Sequence, residues 1–152
     1  MSRTNQITTN VIRVASLQGC TVWRNNVMGV FDMLKAVDRL WKLSLQLKLT
    51  TKDIKQALQS CYIKTNERKG ASDILGFVRK SGKFLAIEIK GKGDKLSIEQ
   101  EQFLKEAGES GFAFVVAERP DLIKFTVLGA KEKVTVCTEE QFIYRLREKI
   151  LA

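Results

Sequence analysis

The stretch from Asp73 to Lys90 (Asp-Ile-Leu-Gly-Phe-Val-Arg-Lys-Ser-Gly-Lys-Phe-Leu-Ala-Ile-Glu-Ile-Lys) restricts the fold more than any other part of the chain. Two short apolar runs flank a turn-forming centre, which predicts a pair of antiparallel strands. With Ser81 and Gly82 as a two-residue loop, Asp73 lies opposite Lys90 and Leu75 opposite Glu88. Side chains two apart on a strand share a face, and directly paired ones share it too. Asp73, Glu88 and Lys90 therefore gather on one face at the open end of the hairpin. Ile74, Val78, Leu85, Ile87 and Ile89 make the other face wholly apolar. Two carboxylates and an ammonium on so hydrophobic a strand pair are costly without a purpose. They form the candidate active site.

A chain of 152 residues that is 44% hydrophobic suits one domain with a real core, here taken as residues 1–152. No apolar run is long enough for a transmembrane helix. The polar start (Ser2, Arg3, Thr4, Asn5, Gln6) argues against a secretory signal, so a cytoplasmic location is expected. Cys20, Cys61 and Cys137 are odd in number and far apart, which fits free thiols in a reducing compartment. There is no histidine, which disfavours a zinc site and any His-activated nucleophile. The net charge of +9 is unevenly placed. Residues 1–70 carry 12 Lys/Arg against 4 Asp/Glu, and residues 71–152 carry 14 against 13. An excess of positive charge in one half points to a polyanionic partner.

Residues 4–18 have the spacing of a helix, with Ile7, Val11, Val14 and Ala15 on its apolar side and Gly19 as its stop. Cys20–Arg24 reads as a strand, Asn25-Asn26 as a turn and Val27–Phe31 as extended. Residues 33–48 form a second helical pattern, with Leu34, Val37, Leu40, Trp41 and Ser44 on the side expected to face inward. Thr50 or Thr51 caps a third helix running to about Ser60, and the two helices are expected to pair as an αα-hairpin. A dimer interface is the alternative for the Trp41 side. Ser97 and Gln100 fit a capping box that opens a helix to about Glu109. Phe112–Ala117 reads as a buried strand, and Arg119-Pro120-Asp121 as a turn. Phe125–Leu128 and Val134–Cys137 suggest another hairpin, and a last helix starts at Thr138. The reading is an α/β fold.

Asp73 and Glu88 can jointly ligate a hard divalent ion such as Mg²⁺ or Mn²⁺, which prefers oxygen and accepts phosphate oxygens as further ligands. The carbonyl of Ile89 is a third candidate ligand. Lys90 shares the face and can hold or activate a water and stabilise charge in the transition state. A solvated ion pair at a strand end is the plain alternative. Arg24, Asn25 and Asn26 at the end of a strand, with Arg68, Lys69, Lys92 and Lys95 around the cluster, would suit phosphate contacts. A turn-forming or merely solvated role competes for each. Gly91-Lys-Gly93 is no P-loop, so no nucleotide cofactor is expected.

The segments Val22–Asn26, Lys69–Gly76, Phe84–Lys90, Leu96–Gln100 and Gly111–Val116 resemble the VRR-NUC domain of the PD-(D/E)XK nuclease superfamily, in the family's order. The resemblance implies a restriction-endonuclease-like core with a mixed central sheet flanked by helices; residues 33–60, longer than the shortest members need, are read as a helical insert about which the resemblance says little. It implies Asp73 as the metal-binding aspartate, Glu88 and Lys90 as the (D/E)-x-K pair and Gln100 as the helix glutamine. It further implies metal-dependent DNA cleavage. Stand-alone members, often from phages or mobile elements, resemble Holliday-junction resolvases and act as homodimers on branched DNA. Two departures stand out. Ala71-Ser72, not proline, precedes the aspartate, and the first helix offers Thr4, Asn5 and Gln6 where the family commonly has a glutamate. The alternative function is a nucleic-acid-binding module that kept the fold without catalysis.

Overall fold

The chain begins with helix α1 (Arg3–Leu17), whose start is capped by Ser2. Ile7, Val11 and Ala15 recur on one side of it and are buried, as their spacing predicts. Gly19 follows at φ 85°, a left-handed conformation that glycine adopts at little cost, and turns the chain into strand β1 (Cys20–Arg24). The computed structural model describes residues 2–25, 30–31, 33–45, 50–59, 62–63 and 68–151. These divide into two units, one of residues 1–25 and 68–152 and one of residues 26–67.

The larger unit is built on a five-stranded sheet in the order β1, β4 (Ile74–Val78), β5 (Phe84–Lys90), β6 (Gly111–Ala117), β7 (Val134–Cys137). β1, β4 and β5 run antiparallel, whereas β5, β6 and β7 run parallel. This mixed sheet has helices on both faces, as expected of a restriction-endonuclease-like α/β fold. On one face α1 and α6 (Glu139–Leu151) pack Ile7, Val11, Phe142 and Leu146 against Ile74, Leu85, Ile87, Ile89, Phe114 and Val116. On the other, α4 (Ile98–Ser110) sets Phe103, Leu104 and Ala107 against Ala86, Ala113, Val115 and Val134. β5 is buried from Leu85 through Lys90, because helices cover both of its faces.

Two expectations need correction here. The turn between β4 and β5 is not the two-residue Ser81-Gly82 loop. Val78 N–H donates to the Lys83 carbonyl at 2.9 Å, which leaves the four residues Arg79–Gly82 as the loop, with Gly82 at φ 68°. The register moves with it, to Ile74 opposite Ile87 and Leu75 opposite Ala86. Because the shift is by an even number of residues, every side chain keeps its predicted face. Phe125–Leu128 is not a strand: a short helix α5 (Ala130–Lys133) leads into β7, which pairs in parallel with β6 rather than forming a hairpin. The turn at Arg119–Asp121 closes as a short 3-10 helix over Pro120–Leu122.

The smaller unit contains the short strand pair β2 (Val30–Phe31) and β3 (Tyr62–Ile63) with helices α2 (Met33–Ser44) and α3 (Thr51–Gln59) between them. Thr50 and Asp53 close the start of α3 by exchanging hydrogen bonds, Thr50 N–H to Asp53 Oδ2 at 3.0 Å and Asp53 N–H to Thr50 Oγ1 at 3.3 Å. α2 and α3 pack against each other as expected, but the inward side of α2 differs. Ala36 is buried and Leu43 half-buried, whereas Val37, Leu40 and Trp41 are exposed, Trp41 to 67%. The side chains of Leu34 and Ser44 lie outside the described residues, as does Cys61. Cys20 and Cys137 are free and buried. No helix among the described residues is long and apolar enough to cross a membrane.

Candidate active site

Three elements converge at the end of β5: the residues entering β4, the last turn of β5 itself and the start of α4. The corrected register brings Asp73, just before β4, level with Glu88 instead of Lys90. Asp73 Oδ2 accepts the Ile89 N–H at 2.9 Å, which holds the carboxylate across the gap where regular pairing ends. Its backbone is held from the other side. Asn25 N–H donates to the Asp73 carbonyl at 2.7 Å, and Asn25 Nδ2 donates to the Ser72 carbonyl at 3.1 Å.

Glu88 is 2% exposed and Lys90 8%. Charged groups buried so deeply need partners. Lys90 Nζ lies 2.9 Å from Glu88 Oε1 and donates to Gln100 Oε1 at 2.9 Å. Gln100 Nε2 donates to that same Glu88 Oε1. Gln100 also completes the capping box of α4, its Oε1 accepting Ser97 N–H at 3.0 Å while its own N–H donates to Ser97 Oγ at 3.2 Å. The capping and site-adjacent readings of Gln100 thus hold together: the cap fixes the side chain that bridges Glu88 and Lys90. Glu88 Oε2 is buried with no hydrogen-bond partner among the described residues. Burial, and next the neighbouring Asp73 charge, push the Glu88 carboxyl up to about 7, against the opposing pull of Lys90.

An unsatisfied buried carboxylate oxygen beside a second carboxylate is a donor set that suits a hard divalent cation. The Ile89 side chain is buried in the core on the far face. Its N–H and carbonyl project to the same edge, toward Asp73, as the two groups of one strand residue do. Among the described residues no group of three or more His, Cys, Asp or Glu gathers around an ion-sized space. From α1, Asn5 Oδ1 accepts from Arg24 at 2.8 Å and Thr4 stands near Gly91, whereas Gln6 is exposed.

The predicted phosphate-contacting residues separate on inspection. Lys69, Lys92 and Lys95 are exposed in the loops on either side of the cluster. Arg68 is also exposed, but pairs with Glu106 and lies 4.9 Å from the centre of the Phe103 ring on α4. Arg24 is turned to Asn5, and Asn25 serves the backbone of Ser72 and Asp73. Asn26 lies outside the described residues. Sequence reasoning missed the bracing role of Asn25 and of Glu101. Glu101 is buried at the start of α4 and accepts from Thr126 N–H at 2.6 Å, Val127 N–H at 2.7 Å and Thr126 Oγ1 at 2.9 Å. An acid at an inward position of a helix was the available signal for Glu101.

No curated protein and no solved structure matches the chain. A family model, the VRR-NUC domain, matches residues 33–120. That span begins after α1 and β1, takes in the smaller unit from α2 onward, and contains Asp73, Glu88, Lys90 and Gln100. With more than half of the sequence matched, and the acid–acid–lysine cluster at the end of a mixed sheet, the chain belongs to the VRR-NUC domain family of the PD-(D/E)XK nucleases, whose work is nuclease-type processing of DNA.

Proposed function

We propose that the protein is a divalent-metal-dependent DNA endonuclease that hydrolyses phosphodiester bonds at the Asp73–Glu88–Lys90 cluster. The observation that carries this reading is Glu88: a buried carboxylate with one oxygen tied to Lys90 and Gln100 and the other without a hydrogen-bond partner among the described residues. Asp73, Glu88 and the Ile89 carbonyl would hold Mg²⁺ or Mn²⁺. When bound, such an ion polarises the phosphate and lowers the pKa of a water. Lys90, oriented by Gln100, would hold the attacking water and offset negative charge as it develops on the phosphate oxygens. Lys69, Lys92 and Lys95 supply exposed positive charge for the flanking phosphates, with Arg68 beside them on α4.

The test is incubation with Mg²⁺ or Mn²⁺ and labelled duplex, flap and four-way DNA. Cleavage is expected in wild type and not in Glu88→Ala; absence of cleavage on every substrate, or equal cleavage by the variant, sinks the proposal. Preference for branched DNA and action as a homodimer rest on the family resemblance, and the flap and four-way substrates together with the sedimentation mass test them. One observation favours a second reading. Among the described residues two carboxylates, Asp73 and Glu88, meet at the cluster, and α1 offers Thr4 and Asn5 rather than an acid. A binding module of this fold would show salt-sensitive DNA affinity that chelator leaves unchanged, and no nicking.

A further inference from the structure

The acid–lysine cluster faces the α4 side of the sheet, and that face continues past the strands α4 covers. Asp73, Leu75 and Phe77 alternate onto it, as do Phe84, Ala86 and Glu88 from β5. The register of β1 adds Thr21 opposite Phe77 and Trp23 opposite Leu75. α4 packs on β5, β6 and β7, and Leu75 and Phe84 are half-buried at its margin. Among the described residues Thr21, Trp23 and Phe77 stay exposed there, Trp23 to 48% and Phe77 to 40%. The other face of the same two strands is closed, with Cys20, Ile74 and Val78 buried in the core beneath α1. A solvated face of an antiparallel pair is ordinarily polar. Here Trp23, Leu75 and Phe77 make it apolar, and such patches mark binding sites.

Two features of this strip name its occupant. The first is charge. Gly19–Asn25 and Ile74–Ile87 hold Arg24, Arg79, Lys80 and Lys83 and no acid. Arg79 is turned back to the Ser16 and Cys20 carbonyls, whereas Lys80 and Lys83 are exposed. Aromatic rings set among cations complement a polyanion that carries flat apolar groups, which describes a nucleic-acid strand. The second is position. Asn25 N–H donates to the Asp73 carbonyl at 2.7 Å, which carries the β1–β4 register on to Asn25 opposite Asp73. Trp23 is thus the diagonal neighbour of Asp73, at about 7–8 Å. Stacked nucleotides rise about 3.4 Å each, so two of them bridge that distance.

We propose that Trp23 and Phe77 are a stacking platform for the bases of unpaired DNA, on the sheet face that carries Asp73, Glu88 and Lys90. A base seated on the Trp23 indole would bring a phosphate of its own strand to the cluster. Bases inside a duplex are stacked on one another and would have to be extruded first. The inference deepens the endonuclease reading and rests on it for where the phosphate goes; the stacking itself needs neither metal nor cleavage.

The experiment measures binding of the full chain in EDTA, by anisotropy, to a labelled single-stranded oligonucleotide and to a blunt duplex. Trp23→Ala and Phe77→Ala should each weaken oligonucleotide binding by roughly 5–150-fold, the range for loss of one stacked base, and leave duplex binding near wild type. Trp23→Phe should keep oligonucleotide affinity close to wild type, yet lose the quenching of tryptophan emission by the bound bases. That variant retains an aromatic ring at an exposed position, so its result stands even where an alanine variant fails to fold. Unchanged oligonucleotide affinity in the folded alanine variants overturns the platform, as does an equal loss on duplex or undiminished quenching in Trp23→Phe. Sedimentation of the free protein tests the other occupant: a dimer that Trp23→Ala converts to a monomer assigns the strip to a second copy and overturns the proposal. Selective loss of oligonucleotide binding, in a chain whose wild type cuts no substrate with Mn²⁺, keeps the platform and removes the nuclease reading. Cleavage by wild type, with oligonucleotide binding unaffected in the variants, does the reverse.

Discussion

The N–H of Ile89 donates to Asp73 Oδ2 at 2.9 Å, so the backbone of β5 aims the acid that precedes its neighbour β4. Asp73→Asn keeps an oxygen able to accept that bond but removes the charge. Its thermal midpoint should stay close to wild type. Metal affinity, followed by Mn²⁺ titration, should fall by at least the roughly 10–100-fold that loss of a supporting group costs a metal site. An unchanged affinity would exclude Asp73 from the ion.

Glu88 makes the metal-free protein sensitive to pH. Its folded value, about 7, lies above the ordinary 4.5, so between these values the native state holds more protons than the unfolded chain. Stability of the metal-free protein should therefore fall as pH rises through that window. The full effect is on the order of 3 kcal/mol. Denaturant melts across the window should show the slope in wild type and its loss in Glu88→Gln. A wild-type stability that rises from pH 5 to 7 contradicts the assignment.

Saturating Mn²⁺ should reverse that penalty by binding only the folded, ionised site. At about 100 times the dissociation constant the gain is roughly 2.7 kcal/mol. It should be visible as a higher melting temperature in wild type, clearly smaller in Asp73→Asn and erased by EDTA.

Glu101 braces the 123–127 loop by accepting three hydrogen bonds, from Thr126 N–H, Thr126 Oγ1 and Val127 N–H. Bonds to a buried charge are worth about 1.5–3 kcal/mol each, and their donors are left unpaired when the acid goes. Glu101→Ala should destabilise the fold by about 3 kcal/mol or more in urea melts. Limited proteolysis should find a new cut between Leu122 and Leu128.

Gly70 and Gly82 both sit at positive φ, 78° and 68°. A Cβ at Gly70 would meet the Glu99 backbone at 2.3 Å, at the start of the helix that carries Gln100, whereas one at Gly82 would meet nothing within 4 Å. Gly82→Ala should therefore cost only the intrinsic 1–2 kcal/mol or so of a left-handed alanine. Gly70→Ala should cost more and also lower metal affinity, because the α4 terminus must shift. Equal melting temperatures for the two variants would refute the steric distinction.

Most of the fold, and the residues of the cluster, were legible because their signals are local. Alternating burial in β4, the continuous apolar run of β6, and the capping residues Ser97 and Thr138 all act within a few positions of themselves. What depends on distant partners was not. The glycine at position 82 correctly marked a turn, but whether it ends a two- or a four-residue loop depends on how β4 and β5 pair. Val134–Cys137 read correctly as a strand, yet its partner β6 could not be told from its own pattern. On α2 the apolar residues span two sectors, and the helix's own pattern does not tell that Ala36 is covered while Trp41 stays exposed. Asn25 looked like any turn residue until the chain returned to it at Ser72.

That return has a wider consequence. Asn25 hydrogen-bonds the carbonyl of Ser72, 47 positions further along the chain, so β1 and the entry to β4 are stitched together where a short turn would have sufficed. The excursion between them is anchored at a seam already closed by the sheet. The register that presents Asp73 is thus held by hydrogen bonds inside the larger unit, at both ends of the 26–67 segment.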